Sequence, residues 1–209
     1  MFFVFPNAVP KKECRKILKY CIKNTEFSDA SVIGQGGSDI KGGLVEGTAK
    51  HDHEIRKTDV GFIKDQENMV NDHAWRFLRK ANAIQFNYNL EYFQAVQFAR
   101  YQNGGHYDWH QDVSQVSTEP ECRKLSLTFC LTDPDTYEGG NLEFFNGGKG
   151  FEDFPLPDGR VIKGEQVAKD IRAQGSAIVF DSYDWHRVTP VTKGIRYSVV
   201  CWTVGPKFK

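Results

Sequence analysis

The sequence predicts an α+β, mainly β chain: an antiparallel sandwich or barrel of short strands carrying helices at its front end. Three observations lead there. Apolar residues recur with a helical period up to Phe86 and alternate with period 2 afterwards. The later segments are short and separated by stretches rich in Gly, Pro, Asp and Asn, which suits antiparallel strands. At 209 residues the chain lies near the upper end of what one core serves. One domain over 1–209 is therefore expected, with helical support over about 1–90 and a β core over about 91–209.

From Pro10 to Ile22, apolar residues at Cys14, Ile17, Leu18, Cys21 and Ile22 follow the i, i+3, i+4, i+7, i+8 rhythm of an amphipathic helix, and a proline suits its first turn. A second helix is expected from about Asp65 to Phe86, with Met69, Val70, His73, Ala74, Phe77, Leu78 and Ala81 on one stripe. Between them, Gly34 to Gly47 holds six glycines in fourteen residues but no Gly-Lys-Ser/Thr, which excludes a phosphate-cradling loop. It reads as a mobile loop, either a lid or a surface hairpin. Strands follow at Ala95 to Tyr101, Lys124 to Leu131, Asn141 to Phe145, Ser176 to Phe180 and Arg196 to Val204. In the second of these, Leu125, Leu127, Phe129 and Leu131 share one face.

Composition narrows the function classes. The 27 basic residues balance 27 acidic ones, so nothing global draws the chain to nucleic acid or an anionic membrane. Cys14, Cys21, Cys122, Cys130 and Cys201 show no CxxC spacing and no even count, which disfavours a zinc ribbon or a disulfide framework and points to a reducing compartment. The apolar start Met1 to Pro6 is too short for a signal peptide, and no stretch reaches the roughly 20 apolar residues of a membrane span. A cytoplasmic protein is expected, with no nucleic-acid or membrane partner.

The densest polar cluster runs from Gly104 to Asp112, where His106, Asp108, His110 and Asp112 crowd together. Residues i and i+2 of a strand point to the same side, so His110 with Asp112 can offer nitrogen and carboxylate oxygen to one ion. His106 with Asp108 forms an identical frame, and spacing cannot choose between them. His186, after the turn that follows the apolar run Ala177 to Phe180, is the candidate third ligand. Two histidines and one carboxylate leave three octahedral positions open, which suits iron(II) oxygenases, although zinc hydrolases use the same residue types. His73 lies on an apolar helix stripe and reads as a packed residue; His51 and His53, in a charged loop, read as solvated.

These residues closely resemble the prolyl 4-hydroxylase branch of the iron(II)/2-oxoglutarate dioxygenases. That family reads Y-x-x-G-x-x-Y-x-x-H-x-D, and Tyr101, Gly104, Tyr107, His110 and Asp112 stand in register with it, which selects the second frame. The distal H-x-V-x-P-V-x-x-G-x-R-Y-S segment is matched from His186 to Ser198, and a Gly-Gly-x-Leu strand by Gly139 to Leu142. Arg56 to Thr58 is similar to an Arg-x-Ser element, with threonine replacing serine. The resemblance implies a double-stranded β-helix, or jelly-roll, core.

It also implies that His110, Asp112 and His186 hold Fe(II), with no catalytic side chain beyond the metal centre. Arg196 and Tyr101 would bind the distal carboxylate of 2-oxoglutarate, and Arg123, Trp202 and Arg56 would contact substrate. A guanidinium suits the first role because it grips a carboxylate through two parallel hydrogen bonds and keeps its charge when buried. Alternation puts Arg196, Ser198, Val200 and Trp202 on one side of their strand. The implied reaction converts 2-oxoglutarate and dioxygen to succinate and carbon dioxide while hydroxylating a prolyl residue in a peptide or protein, with ascorbate as reductant. The alternatives are the same chemistry on another residue or a free amino acid, a catalytically silent binding module on the same barrel, and a zinc hydrolase. The last gives no reason for an arginine ten residues beyond His186.

Overall fold

The computed structural model describes residues 2–30, 32–33, 49–50, 52–65, 67–113, 120–145, 154–155, 161–162 and 164–208. The glycine-rich segment Gly34 to Gly47 and His51 lie outside the described residues. Helix α1 spans Lys11–Asn24 and buries Cys14, Ile17 and Cys21, the stripe expected from their spacing. Helix α2 spans Met69–Ala81, four residues shorter at its start than the pattern suggests. The reason is local. Asn68 adopts extended backbone, and its side-chain oxygen accepts from the amides of Val70 at 2.8 Å and Asn71 at 3.1 Å, so the helix can begin only beyond it. At the other end the chain continues as a π-helical turn, Asn82–Phe86, closed by Asn87 in the left-handed region at φ 53°.

The strands that matter for the site are β1 (Phe2–Phe5), β2 (Arg56–Lys57), β3 (Asp59–Phe62), β4 (Gln97–Tyr101), β5 (His106–His110), β6 (Glu121–Cys130), β7 (Leu142–Phe144), β8 (Ala177–Asp181), β9 (His186–Val188) and β10 (Arg196–Pro206). Among the described residues, one antiparallel sheet runs β1-β8-β6-β10-β4-β3 and ends on Ser28–Asp29, with Tyr92–Phe93 added beside β10. A smaller antiparallel sheet runs β7-β9-β5-β2. Two facing antiparallel sheets with helices outside the larger one form the double-stranded β-helix expected.

Period 2 decides the faces of the large sheet. Leu125, Leu127 and Phe129 of β6 and Val199 and Cys201 of β10 are fully buried and pack against Ile17, Val70, Ala74, Phe77 and Leu78 of the two helices. The opposite face of the same strands turns toward the small sheet. One irregularity matters here. Arg123 pairs with Val204 and Leu125 with Thr203, so Lys124 is an extra residue in a β-bulge. The bulge puts Arg123 on the inner face, where uninterrupted alternation would place it beside Leu125 on the helix side. All five cysteines are buried free thiols, and no described helix is long and apolar enough to cross a membrane.

Candidate metal centre

Between the sheets lies a cavity of about 610 Å³. Arg196, Ser198, Val200, Trp202 and Val204 line it in succession, since alternate residues of β10 face one way. On the small sheet, His110 and His186 are direct cross-strand partners, which brings together residues 76 apart in sequence. Asp112 follows two residues after His110, and its amide donates to the Ser182 carbonyl at 3.0 Å, tying it to the turn that leads into His186.

The result is a compact triad. His110 Nε2 lies 3.7 Å from Asp112 Oδ1, His186 Nε2 lies 3.6 Å from Asp112 Oδ2, and the candidate ligand atoms all fall within 4.8 Å of one another. Three neighbouring ligands on an ion bound at ~2.1 Å sit roughly 3 Å apart, so small side-chain rotations close these atoms around a metal. Each imidazole is oriented by its own backbone: Nδ1 of His110 donates to the Asp108 carbonyl at 2.7 Å, and Nδ1 of His186 to the Asp184 carbonyl at 2.9 Å. A carbonyl only accepts, so Nδ1 carries the proton and Nε2 presents a lone pair.

The protonation states also suit a ligand set. Burial first, and the neighbouring His186 ring second, push the His110 pKa well below its usual value and keep the ring neutral. Burial alone would raise the Asp112 carboxyl, but His186, His110 and Arg123 outweigh it and hold the group ionised. The Tyr107 ring stacks on His110 with centroids 3.4 Å apart, and the Arg56 guanidinium sits 4.3 Å from the centre of the Tyr107 ring. Phe180 meets His186 edge-on at 4.7 Å.

The other histidines are elsewhere. His106 places its two ring nitrogens 3.0 Å from the carbonyls of Gly104 and Glu54, away from the triad, and Asp108 is exposed. His53 is exposed and bonded to Asp29. His73 is half-buried, with Phe77 and Phe129 as ring neighbours and Arg76 on its Nδ1.

Arg196 lines the same cavity. It is 5% exposed, its Nη1 donates to Ser198 Oγ at 3.1 Å, and its guanidinium lies 5.3 Å from the ring centre of buried Tyr101, its cross-strand partner. Among the described residues no carboxylate pairs with it. At the mouth, the Arg123 guanidinium stacks over Trp202 at 3.9 Å while its nitrogens donate to Gln94 Oε1 at 2.8 Å and the Asp112 carbonyl at 3.2 Å. The buried Trp202 indole N–H has no acceptor among the described residues. Thr58 donates to the His106 carbonyl at 3.0 Å, fastening β2 to β5.

Sequence reasoning gave no role to Gln94, the Tyr107 stack, or Ser126, whose hydroxyl lies 2.9 Å from that of Ser182. For Ser126 a signal existed, because it alternates with the leucines of β6. The paired glycines also gain a physical account. Gly139 and Gly140 have φ of +74° and +61°; a Cβ on Gly139 would stand 1.9 Å from the Pro190 carbonyl oxygen, and one on Gly140 would stand 2.9 Å from Arg196 Cδ.

A jelly roll with two histidines and one carboxylate converging on one buried point defines a candidate mononuclear metal centre. Comparison with known proteins makes this specific. The family profile of the 2OG-Fe(II) oxygenase superfamily matches residues 96–204, and the chain belongs to that family. A PKHD-type hydroxylase of Synechococcus sp. is 35% identical over 99 residues, covering 47% of this chain and 36% of its own. One from Shewanella sp. is 26% identical over 205 residues, covering 97% of this chain and 77% of the relative.

Among solved structures, a Pseudomonas putida prolyl-4-hydroxylase superposes with a TM-score of 0.61 at 20% identity, covering 97% of this chain and 91% of that one. A Trichoplax adhaerens prolyl hydroxylase in complex with a peptide fragment of the hypoxia inducible factor oxygen degradation domain gives 0.64 at 15% identity, covering 97% and 82%. These structural likenesses show the shared fold. The family implies Fe(II) and 2-oxoglutarate, and the donor set fits the metal: two imidazole lone pairs and one carboxylate converge.

Proposed function

We propose that the chain is an Fe(II)- and 2-oxoglutarate-dependent hydroxylase acting on a prolyl residue of a peptide or protein, with succinate and carbon dioxide as the other products. The observation that carries this reading is Arg196: a buried guanidinium without an acid partner among the described residues, lining the same cavity as the triad. A charge hidden from water needs a counter-charge, and a dicarboxylate cosubstrate supplies one.

In this reading His110 and His186 bind the metal through Nε2 and Asp112 through its carboxylate. When bound, iron and the keto acid supply the activation of dioxygen. The chain's own residues orient and enclose. Arg196, with Ser198 and Tyr101 beside it, takes the distal carboxylate. Along β10, Trp202 stands six residues from Arg196, roughly 20 Å at ~3.3 Å per residue, which leaves room for cosubstrate and substrate at opposite ends.

The Trp202 indole N–H, without an acceptor among the described residues, suits a peptide carbonyl, and Arg123, stacked on that ring, fixes its tilt. Arg56 acts from the facing wall over Tyr107. The peptide held by the Trichoplax relative supports a peptide substrate.

The test is incubation of anaerobically purified protein with Fe(II), ascorbate, air and 2-oxoglutarate, with and without a mixed set of proline-rich peptides. Succinate and peptide mass are followed together, with Arg196→Ala alongside. Succinate that rises with peptide, one oxygen added on proline, and loss of both signals in the variant are expected. Slow succinate formation that ignores the peptides would transfer the reading to another residue or a free amino acid. Its absence with metal bound would point to a silent barrel or a different metal.

A further inference from the structure

Helix α3 (Gly164–Arg172) ends in an arginine whose two terminal nitrogens both donate to one segment of chain. Arg172 Nη1 donates to the Gly139 carbonyl at 2.6 Å and to Asn141 Oδ1 at 2.7 Å; Nη2 donates to the Tyr137 carbonyl at 3.0 Å and, more weakly, to that of Pro134 at 3.4 Å. Its guanidinium carbon lies 4.2 Å from the centre of the Tyr137 ring. Among the described residues no carboxylate pairs with it. A cation at the carboxyl end of a helix is favourably placed, but that does not explain why this side chain gathers residues 134–141.

What the segment does next gives the reason. Tyr137 is buried, and its phenol lies beside the Arg196 guanidinium. Gly140 lacks the Cβ that would stand 2.9 Å from Arg196 Cδ and 3.4 Å from Tyr137 Cε2, so the aliphatic stem of Arg196 runs through a slot between them. The turn just before Arg196 leans on the same segment: a Cβ on Gly194 would be 2.2 Å from the Thr136 carbonyl oxygen. An arginine side chain gives up roughly 2 kcal/mol of rotamer entropy when fixed, and one without an acid partner depends on neutral hydrogen bonds, here from Nη1 to Ser198 Oγ at 3.1 Å, and on the walls around its stem.

We propose that Arg172 and Tyr137 are positioning residues for Arg196, pre-setting its guanidinium so that the site selects keto acids bearing a second, distal carboxylate. This deepens the reading of Arg196 given above and rests on it. Arg172 shapes residues 134–141, the segment supplies Tyr137 and the Gly140 slot, and the slot aims Arg196.

The experiment is calorimetric titration of the full chain loaded with Mn(II) as an unreactive stand-in, using 2-oxoglutarate and 2-oxobutanoate, which has the same keto acid end but no second carboxylate. Arg172→Gln is expected to weaken 2-oxoglutarate about ten-fold and Tyr137→Phe about three-fold, while 2-oxobutanoate and Mn(II) affinities stay within about two-fold. Unchanged 2-oxoglutarate affinity in folded variants overturns the proposal, as does parallel loss of both keto acids and metal, which marks general damage. If Arg172→Gln does not fold, Tyr137→Phe, which keeps the packing, decides by the same criteria. Wild-type protein that does not prefer 2-oxoglutarate sinks the reading of Arg196 itself. A wild-type preference abolished by Arg196→Ala but untouched by the other two variants sinks only the positioning role.

Discussion

The two faces of β6 and β10 are both largely hidden from solvent and chemically opposed. Toward the helices they present Leu125, Leu127, Phe129, Val199 and Cys201, each surrounded by apolar neighbours. Toward the small sheet they present Arg123, Ser126, Thr128, Arg196, Ser198 and Trp202. Burial therefore does not separate structure from function in this molecule; completeness of partners does. Among the described residues Phe129 finds what it needs, whereas Arg196 has no carboxylate and the Trp202 indole N–H no acceptor.

The contrast is strongest for Phe129→Ala, expected to cost about 3–5 kcal/mol of stability in urea denaturation while the folded fraction keeps its 2-oxoglutarate affinity. A comparable loss of affinity would mean that the faces are coupled. On the inner face, Arg196→Met should lower 2-oxoglutarate affinity about a hundred-fold by calorimetry yet leave stability unchanged or about 1 kcal/mol higher, because it removes an uncompensated buried charge. Destabilisation by more than about 2 kcal/mol would break the comparison.

At the triad, Asp112→Ala should weaken Mn(II) binding at least ten-fold and His106→Ala by less than two-fold in the same titration, by analogy with the ~10–100-fold effects of perturbing a metal site. Loss of metal in the second variant would restore the competing frame.

The smallest effect concerns protons. Burial lowers the His110 pKa to about 3, so below the ordinary histidine value the unfolded chain binds the proton first and stability falls with pH. The contribution is intact above about pH 6.5 and declines as the pH drops toward 3. Metal-free protein should therefore lose about 1 kcal/mol between pH 7 and pH 5.5, and His110→Gln should flatten that part of the curve.

Local pattern was enough for α1, the body of α2, the leucine face of β6 and the inward row on β10, because each follows from one period held over several residues, whereas α3 went unread. It could not choose between His106 and His110, since residues two and four apart in a strand share a side. That choice is made by the pairing of His110 with His186, a contact 76 residues distant that no local spacing records. The inward turn of Arg123 was illegible for another reason: a bulge at Lys124 breaks the alternation from which its side would be read. Arg172 left no trace, because three of its partners are backbone carbonyls 33–38 residues earlier in the chain, and backbone carbonyls are common to every residue type.

The two imidazoles repeat one device: each gives its Nδ1 proton to the backbone two residues before it. Asp108 and Asp184 supply carbonyls for this, not carboxylates, so the choice of tautomer does not depend on which side chains stand there. On the proposal made above, Arg196 is aimed instead by a phenol and, through a loop, by another arginine. In that reading the metal end is insulated against mutation and the cosubstrate end is exposed to it. Divergence in this architecture can rewrite the residues surrounding both rings while the same nitrogen still faces the ion, whereas one substitution at position 137 or 172 shifts how the second ligand is gripped.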